Sequence, residues 1–145
     1  SRQNLSHQQR DASQLANVTR GGYILQDCQG VPEAIIIATG SEVGIAQQAT
    51  DTLTKQGHRV RLVSMPCTEL FERQDAEYQA HVLPPSITAR VAVEAAHTDY
   101  WYKYVGLAGK VIGMTDFGAS APAHELFEMY GFTADNIAAT VTGLL

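Results

Sequence analysis

The run AIIIAT at residues 34–39 constrains this chain most, because it sets three isoleucines in a row with no polar alternation. Consecutive β-branched residues fit a strand buried on both faces, as in a parallel sheet. Gly40 and Ser41 follow at once. From Glu42 to about Gln56 the residues Val43, Ala46, Ala49 and Leu53 then fall at steps of three, three and four. That spacing lines one face of a helix. Ser41 reads as its N-cap and Gly57 as its C-terminal stop. Residues 59–64 (RVRLVS) supply the next strand by alternation, Val60, Leu62 and Ser64 on one face against Arg59, Arg61 and Val63 on the other, and Pro66 ends it. Strand, helix, strand is a βαβ unit.

The rest of the chain extends the pattern. Tyr23, Ile24 and Leu25 form a short strand after Gly21-Gly22, and 27–30 (DCQG) reads as a turn. A polar helical stretch runs from about Asp75 to Val82 and stops before Pro84-Pro85. Residues 88–94 (TARVAVE) and 110–114 (KVIGM) are two further strands, making five. Ser120 and Pro122 open a helix over 121–130, closed by Gly131. Thr133 caps the last helix, with Phe132 and Ile137 spaced as a hydrophobic staple and Ile137, Val141 and Leu144 on its buried face. Alternating strands and helices predict an α/β layered sheet.

Residues 1–20 are different. Leu5, Leu15 and Val18 are their large aliphatic side chains, and such a polar stretch builds no core of its own. It reads as a linker from an absent upstream domain, with 21–145 as the folded unit. A first residue of Ser rather than Met fits a piece of a longer chain.

Length and charge exclude several classes. At 145 residues, one domain that buries roughly two-thirds of its unfolded surface is the expectation, with no need of a disulfide or metal staple. A net charge of −5, with no basic run beyond two residues, argues against nucleic-acid binding. The apolar runs are far shorter than a membrane span, and no charged-then-apolar leader suggests secretion. Cys28 and Cys67 lie too far apart for a redox CxxC or a zinc pair, and read as ordinary thiols of a reducing cytoplasm.

Four features carry candidate chemistry. The Thr39–Glu42 turn offers backbone N–H groups and the Ser41 hydroxyl at a helix start, where anions bind. Glu42 opposes that use, since its charge sits where a phosphate would, and a structural cap is the plainer reading. Glu94 ends an apolar strand, the place where open α/β sheets present functional side chains. A carboxyl satisfied by local hydrogen bonds explains it equally well. The aromatic run 97–104 (HTDYWYKY) suits either core packing or an interface. His7, His58, His81, His97 and His124 show no ligand spacing; His124-Glu125 begins like a zincin motif, but Glu128 stands where its second His belongs. No catalytic, cofactor or metal residue is assigned.

Seven collinear stretches together resemble the C-terminal region of transketolases of the bacterial and plant-like kind. They are SRQNL at 1–5, GGYIL at 21–25, IATGSEV at 37–43, VSMPCTELFERQD at 63–75, RVAVEA at 90–95, DYWYKYVG at 99–106 and FGASAPAHELFEMYGFTADNI at 117–137. Gly44 and Ala119 depart from the frequent Glu of relatives, and both positions are peripheral to the pattern. The resemblance implies a three-layer α/β/α domain on a five-stranded, mostly parallel sheet with one antiparallel strand. It also implies a homodimeric cytoplasmic enzyme that moves a two-carbon ketol unit between sugar phosphates. Thiamine diphosphate and a divalent cation (Mg or Ca), held by upstream domains, would carry the chemistry. Arg2 matches the arginine that binds the substrate phosphate, a role that suits a bidentate, permanently charged guanidinium.

No stretch here resembles the diphosphate-binding motif of that superfamily, so the chain alone is expected to be inactive. Two alternatives stay open: a freestanding module that holds a small anion at the Ser41 turn, and the terminal domain of another thiamine-diphosphate enzyme.

Overall fold

The structure, a computed structural model, describes residues 11–114 and 132–145, and the side chains of all of these except 96–98 and 114. Five strands form one sheet: β1 (Tyr23–Gln26), β2 (Ala34–Ala38), β3 (Val60–Ser64), β4 (Arg90–His97) and β5 (Lys110–Met114), in the order β1-β3-β2-β4-β5. β2 is central and pairs in parallel with β3 and β4, β5 runs parallel to β4, and β1 is antiparallel to β3. The expected five strands and single antiparallel member are both present.

The three isoleucines explain why the sheet carries helices on both faces. Ile36 packs with α2 (Val43–Lys55) and α6 (Ala134–Leu144), against Ala46, Leu53, Ile137 and Val141. Ile35 and Ile37 point the other way, into a second core with Phe71 of α3 (Thr68–Glu72), Val82 of α4 (Ala76–Val82) and Val105 of α5 (Tyr102–Val105). All three are fully buried, and each contributes about 1.5–3 kcal/mol of apolar transfer. The result is the three-layer α/β/α arrangement.

Local signals held at several helix ends. Asp75 caps α4, its side chain accepting from Tyr78 N at 2.7 Å. Thr133 caps α6, accepting from Asn136 N at 3.1 Å, and Phe132 and Ile137 are both buried. The helix expected over 121–130 lies outside the described residues.

Other expectations need correction. Ser41 is not the N-cap of α2: residues 40–42 form a 3₁₀ turn, and the helix starts at Val43 with no side-chain cap. Gly40 takes a left-handed φ of 57° there, and the Ser41 hydroxyl turns instead to Glu42, donating to Oε1 at 2.7 Å. β3 does not alternate between core and solvent; all five of its residues are buried, Arg61 among them. Within the stretch read as linker, α1 (Ala12–Asn17) is helical. Asp11 accepts from Gln14 N while the Gln14 side chain accepts from Asp11 N, the capping box that lets a six-residue polar helix form. None of its residues is buried, and Gln14 Nε2 donates to Leu25 O at 2.6 Å, covering part of the open edge of β1.

Gly21 joins this segment to the sheet. Its φ is 82°, and a Cβ there would meet Cys67 O at 2.2 Å and Phe71 N at 2.5 Å. Its carbonyl accepts from Cys67 N at 2.9 Å. The chain thus enters the unit against the segment that follows β3, where no other residue fits.

Candidate functional site

The topology creates one crevice of the kind that open α/β sheets use for binding. β2 sends its connection toward β3, whereas its neighbour β4 sends its connection toward β5. The connections part between the carboxyl ends of β2 and β4, which is a topological switch point. A pocket of about 300 Å³ lies there, lined by Thr39 beyond β2, Met65 to Glu69 beyond β3, Glu94 on β4, and Tyr100 and Trp101 beyond it.

Two carboxyls set the electrostatics. Glu42, in the turn after β2, is fully buried and accepts from the Ser41 hydroxyl. Glu94 is half-buried, and its pKa rises to about 7, first from burial and then from the charge of Glu42. Near neutral pH Glu94 is therefore divided between acid and carboxylate. A like-charged pair at a helix start repels phosphate, so the Ser41 turn is no seat for an anion, its hydroxyl being already committed.

The aromatic run divides between core and surface. Trp101 and Tyr104 are buried, while Tyr100 and Tyr102 are exposed. Trp101 packs edge-on against Tyr100 at 5.7 Å between centroids and lies tilted against Tyr104 at 5.4 Å. The Tyr100 and Thr68 hydroxyls hydrogen-bond across the pocket mouth. Tyr104 donates to Glu72 Oε1 at 2.6 Å, and Lys103 Nζ reaches the same oxygen at 2.5 Å. These contacts hold Glu72 below the usual carboxylate range, while burial and then Glu72 push the Tyr104 phenol up. The Trp101 indole N–H is buried without a hydrogen-bond partner among the described residues.

The remaining candidates are scattered. Arg2, His7 and His124 lie outside the described residues, and nothing is described of the His97 side chain. His58 pairs with Glu33 at 3.0 Å at the opposite, amino end of the strands, and His81 is on α4. Cys28 and Cys67 are both free thiols, and burial raises that of Cys28. Among the described residues no group of three or more His, Cys, Asp or Glu side chains could hold a metal ion. Reading along the chain missed the coupling of Glu42 to Glu94, which are 52 positions apart. The available signal was that adjacent parallel strands, one followed by a carboxylate and the other carrying one in its carboxyl half, bring those carboxylates to one edge.

Comparison with known proteins gives the arrangement its family. Residues 21–133 match the family model described as the transketolase-like TK C-terminal domain. Over all 145 residues the chain is 59% identical to Transketolase 2 of Aliivibrio fischeri and 59% identical to Transketolase 1 of Escherichia coli, and it covers 22% of each. Among solved structures, transketolase from Leishmania mexicana matches with a TM-score of 0.82 at 38% identity, over 90% of this chain and 18% of that one. Transketolase from Campylobacter jejuni matches with a TM-score of 0.77 at 35% identity, over 87% of this chain and 19% of that one. The chain thus spans about a fifth of the length of the relatives it matches. It belongs to the transketolase family, as the C-terminal domain of such an enzyme.

Proposed function

We propose that this chain completes a transketolase that transfers a two-carbon ketol unit from a ketose phosphate to an aldose phosphate, the exchange that serves the pentose phosphate pathway. The carrying observation is the identity of 59% over every residue of the chain to transketolases several times its length. Residues 1–20 join an upstream middle domain to the unit 21–145, and Arg2 in that connection binds the substrate phosphate. A guanidinium far from the reacting carbons supplies remote binding energy that orients the sugar without taking part in bond making.

Thiamine diphosphate, with a divalent cation (Mg or Ca), supplies the carbanion chemistry in such an enzyme. The described residues do not fit that group. Glu94 lines the switch-point crevice and the charge of buried Glu42 acts on it, which opposes a diphosphate, and the described residues offer no metal-ligand cluster. The cofactor belongs to the upstream domains, the unit 21–145 contributes dimer packing, and the connection before it contributes Arg2.

The assembly is read as a homodimer in the cytoplasm, a setting that suits the two free thiols. The net charge of −5 gives no basic footprint for nucleic acid, and no helix among the described residues is long and apolar enough to cross a membrane. Calorimetry of thiamine diphosphate tests the division of labour. Saturable binding to the full-length polypeptide and none to the 145-residue chain is expected; binding to the chain itself would overturn it.

A further inference from the structure

A second concavity, distinct from the switch-point crevice, opens between α4, α5 and the loop at 106–109, with a volume of about 590 Å³. That size suits a small organic molecule. Its walls are largely apolar: Ala76 and Ala80 on α4, Pro85 and Ile87 in the loop before β4, and Leu107, which is wholly exposed at the rim.

Arg90, the first residue of β4, is the polar feature that makes this cleft unusual. Its Nε donates to Ile87 O at 2.8 Å, Nη1 to Tyr104 O at 2.7 Å, and Nη2 to Leu83 O at 3.2 Å and Pro84 O at 2.8 Å. All four acceptors are backbone carbonyls. The ion pairs among the described residues join other side chains, so no carboxylate offsets this charge. A guanidinium has five N–H groups, which leaves one Nη1 hydrogen unused. Burial lowers the Arg90 pKa, as it does for a cation short of a counter-charge. Glu72, also on the wall, is already engaged by Lys103 and Tyr104. The described lining therefore carries Arg90 and Lys103 against Glu72, a net positive wall in a chain whose net charge is −5.

We propose that this cleft binds a small molecule with an apolar body and a single carboxylate, the body lying between Ala80, Ile87 and Leu107 and the carboxylate taking the spare Arg90 donor. One free donor and one uncompensated charge match a monoanion. A phosphate dianion would enter with most of its acceptors unmet, which is costly away from water.

The probe is 3-phenylpropionate, with its primary amide as the neutral control. Calorimetry and saturation-transfer NMR on the full-length polypeptide that carries this chain give acid binding tighter than amide binding by about tenfold, the preference shrinking as salt is added. Ala80→Trp places a large ring in the cleft from an exposed helical position; it abolishes binding of both probes and leaves the melting temperature in place. Val31→Trp, on a different surface, leaves binding intact. Equal affinity for acid and amide would overturn the proposal, as would binding that survives Ala80→Trp. Absence of acid binding at millimolar concentration would also overturn it.

Discussion

Arg61 grips Asp27 with one edge of its guanidinium, Nε donating to Oδ1 at 3.0 Å and Nη2 to Oδ2 at 3.2 Å. The arginine is buried on β3, whereas Asp27 is partly open to solvent in the turn after β1. The remaining Nη1 donates to the carbonyls of His81 at 2.7 Å and Val82 at 3.3 Å, so one side chain ties that turn to the end of α4. Removing the carboxylate strands a buried cation. Asp27→Ala is expected to cost about 1–3 kcal/mol in urea unfolding of this chain. An unchanged midpoint would show that the pair is dispensable.

Glu94 makes stability depend on pH. Its folded pKa of about 7 stands above the ordinary 4.5, so between those values the folded chain holds a proton that the unfolded chain has released. Stability then falls as pH rises through that window and levels off above it. Glu94→Gln removes the titration. The variant should match the parent near pH 4 and exceed it by about 1 kcal/mol at pH 8, a modest figure because the side chain keeps access to water. Parallel stability profiles for the two proteins would contradict the raised pKa of Glu94.

Gly21 admits no substitute. Gly21→Ala forces a left-handed backbone on a residue with a Cβ and drives that carbon into Cys67 O and Phe71 N. The combined strain and clash predict a loss above about 2 kcal/mol. By contrast, Gly30→Ala, with a similar φ of 77° but open space around it, should cost about 1 kcal/mol. Chemical denaturation of the pair separates the two effects, and equal losses would remove the role assigned to the Cys67 contact.

Arg2→Ala in the full-length enzyme should raise KM for phosphorylated sugars strongly and leave unphosphorylated analogues unaffected, because only the former present a group for the guanidinium. Loss of a charged hydrogen-bonding pair predicts a change of at least about tenfold in kcat/KM. Equal losses on both substrate classes would refute the phosphate role.

The sheet was legible in the sequence because burial on both faces leaves a plain mark: Ala34–Ala38 has no polar residue to place. β3 misled for the converse reason. Arg59 and Arg61 suggest a solvent face, yet Arg61 is buried by partners from β1's turn and from α4, contacts that no local pattern encodes. α3 and α5 are five and four residues long, too short to show a 3.6-residue period, and tertiary contacts through Phe71 and Val105 hold them. Glu94 was legible as a carboxylate on its strand, although β4 does not end there but runs on to His97. Its elevated pKa was not, since it comes first from burial in the folded chain and then from the charge of Glu42, which follows the strand paired with β4. The carbonyl cage around Arg90 left no trace in the sequence, because backbone acceptors carry no residue identity.

Ketol transfer from xylulose phosphate to a pentose phosphate, measured side by side for the full-length polypeptide and for the 145-residue chain, tests the account most directly. The account predicts thiamine-diphosphate-dependent turnover by the former and none by the latter. Turnover by the isolated chain, or a full-length protein that shows no transfer with cofactor and divalent cation supplied, would contradict it.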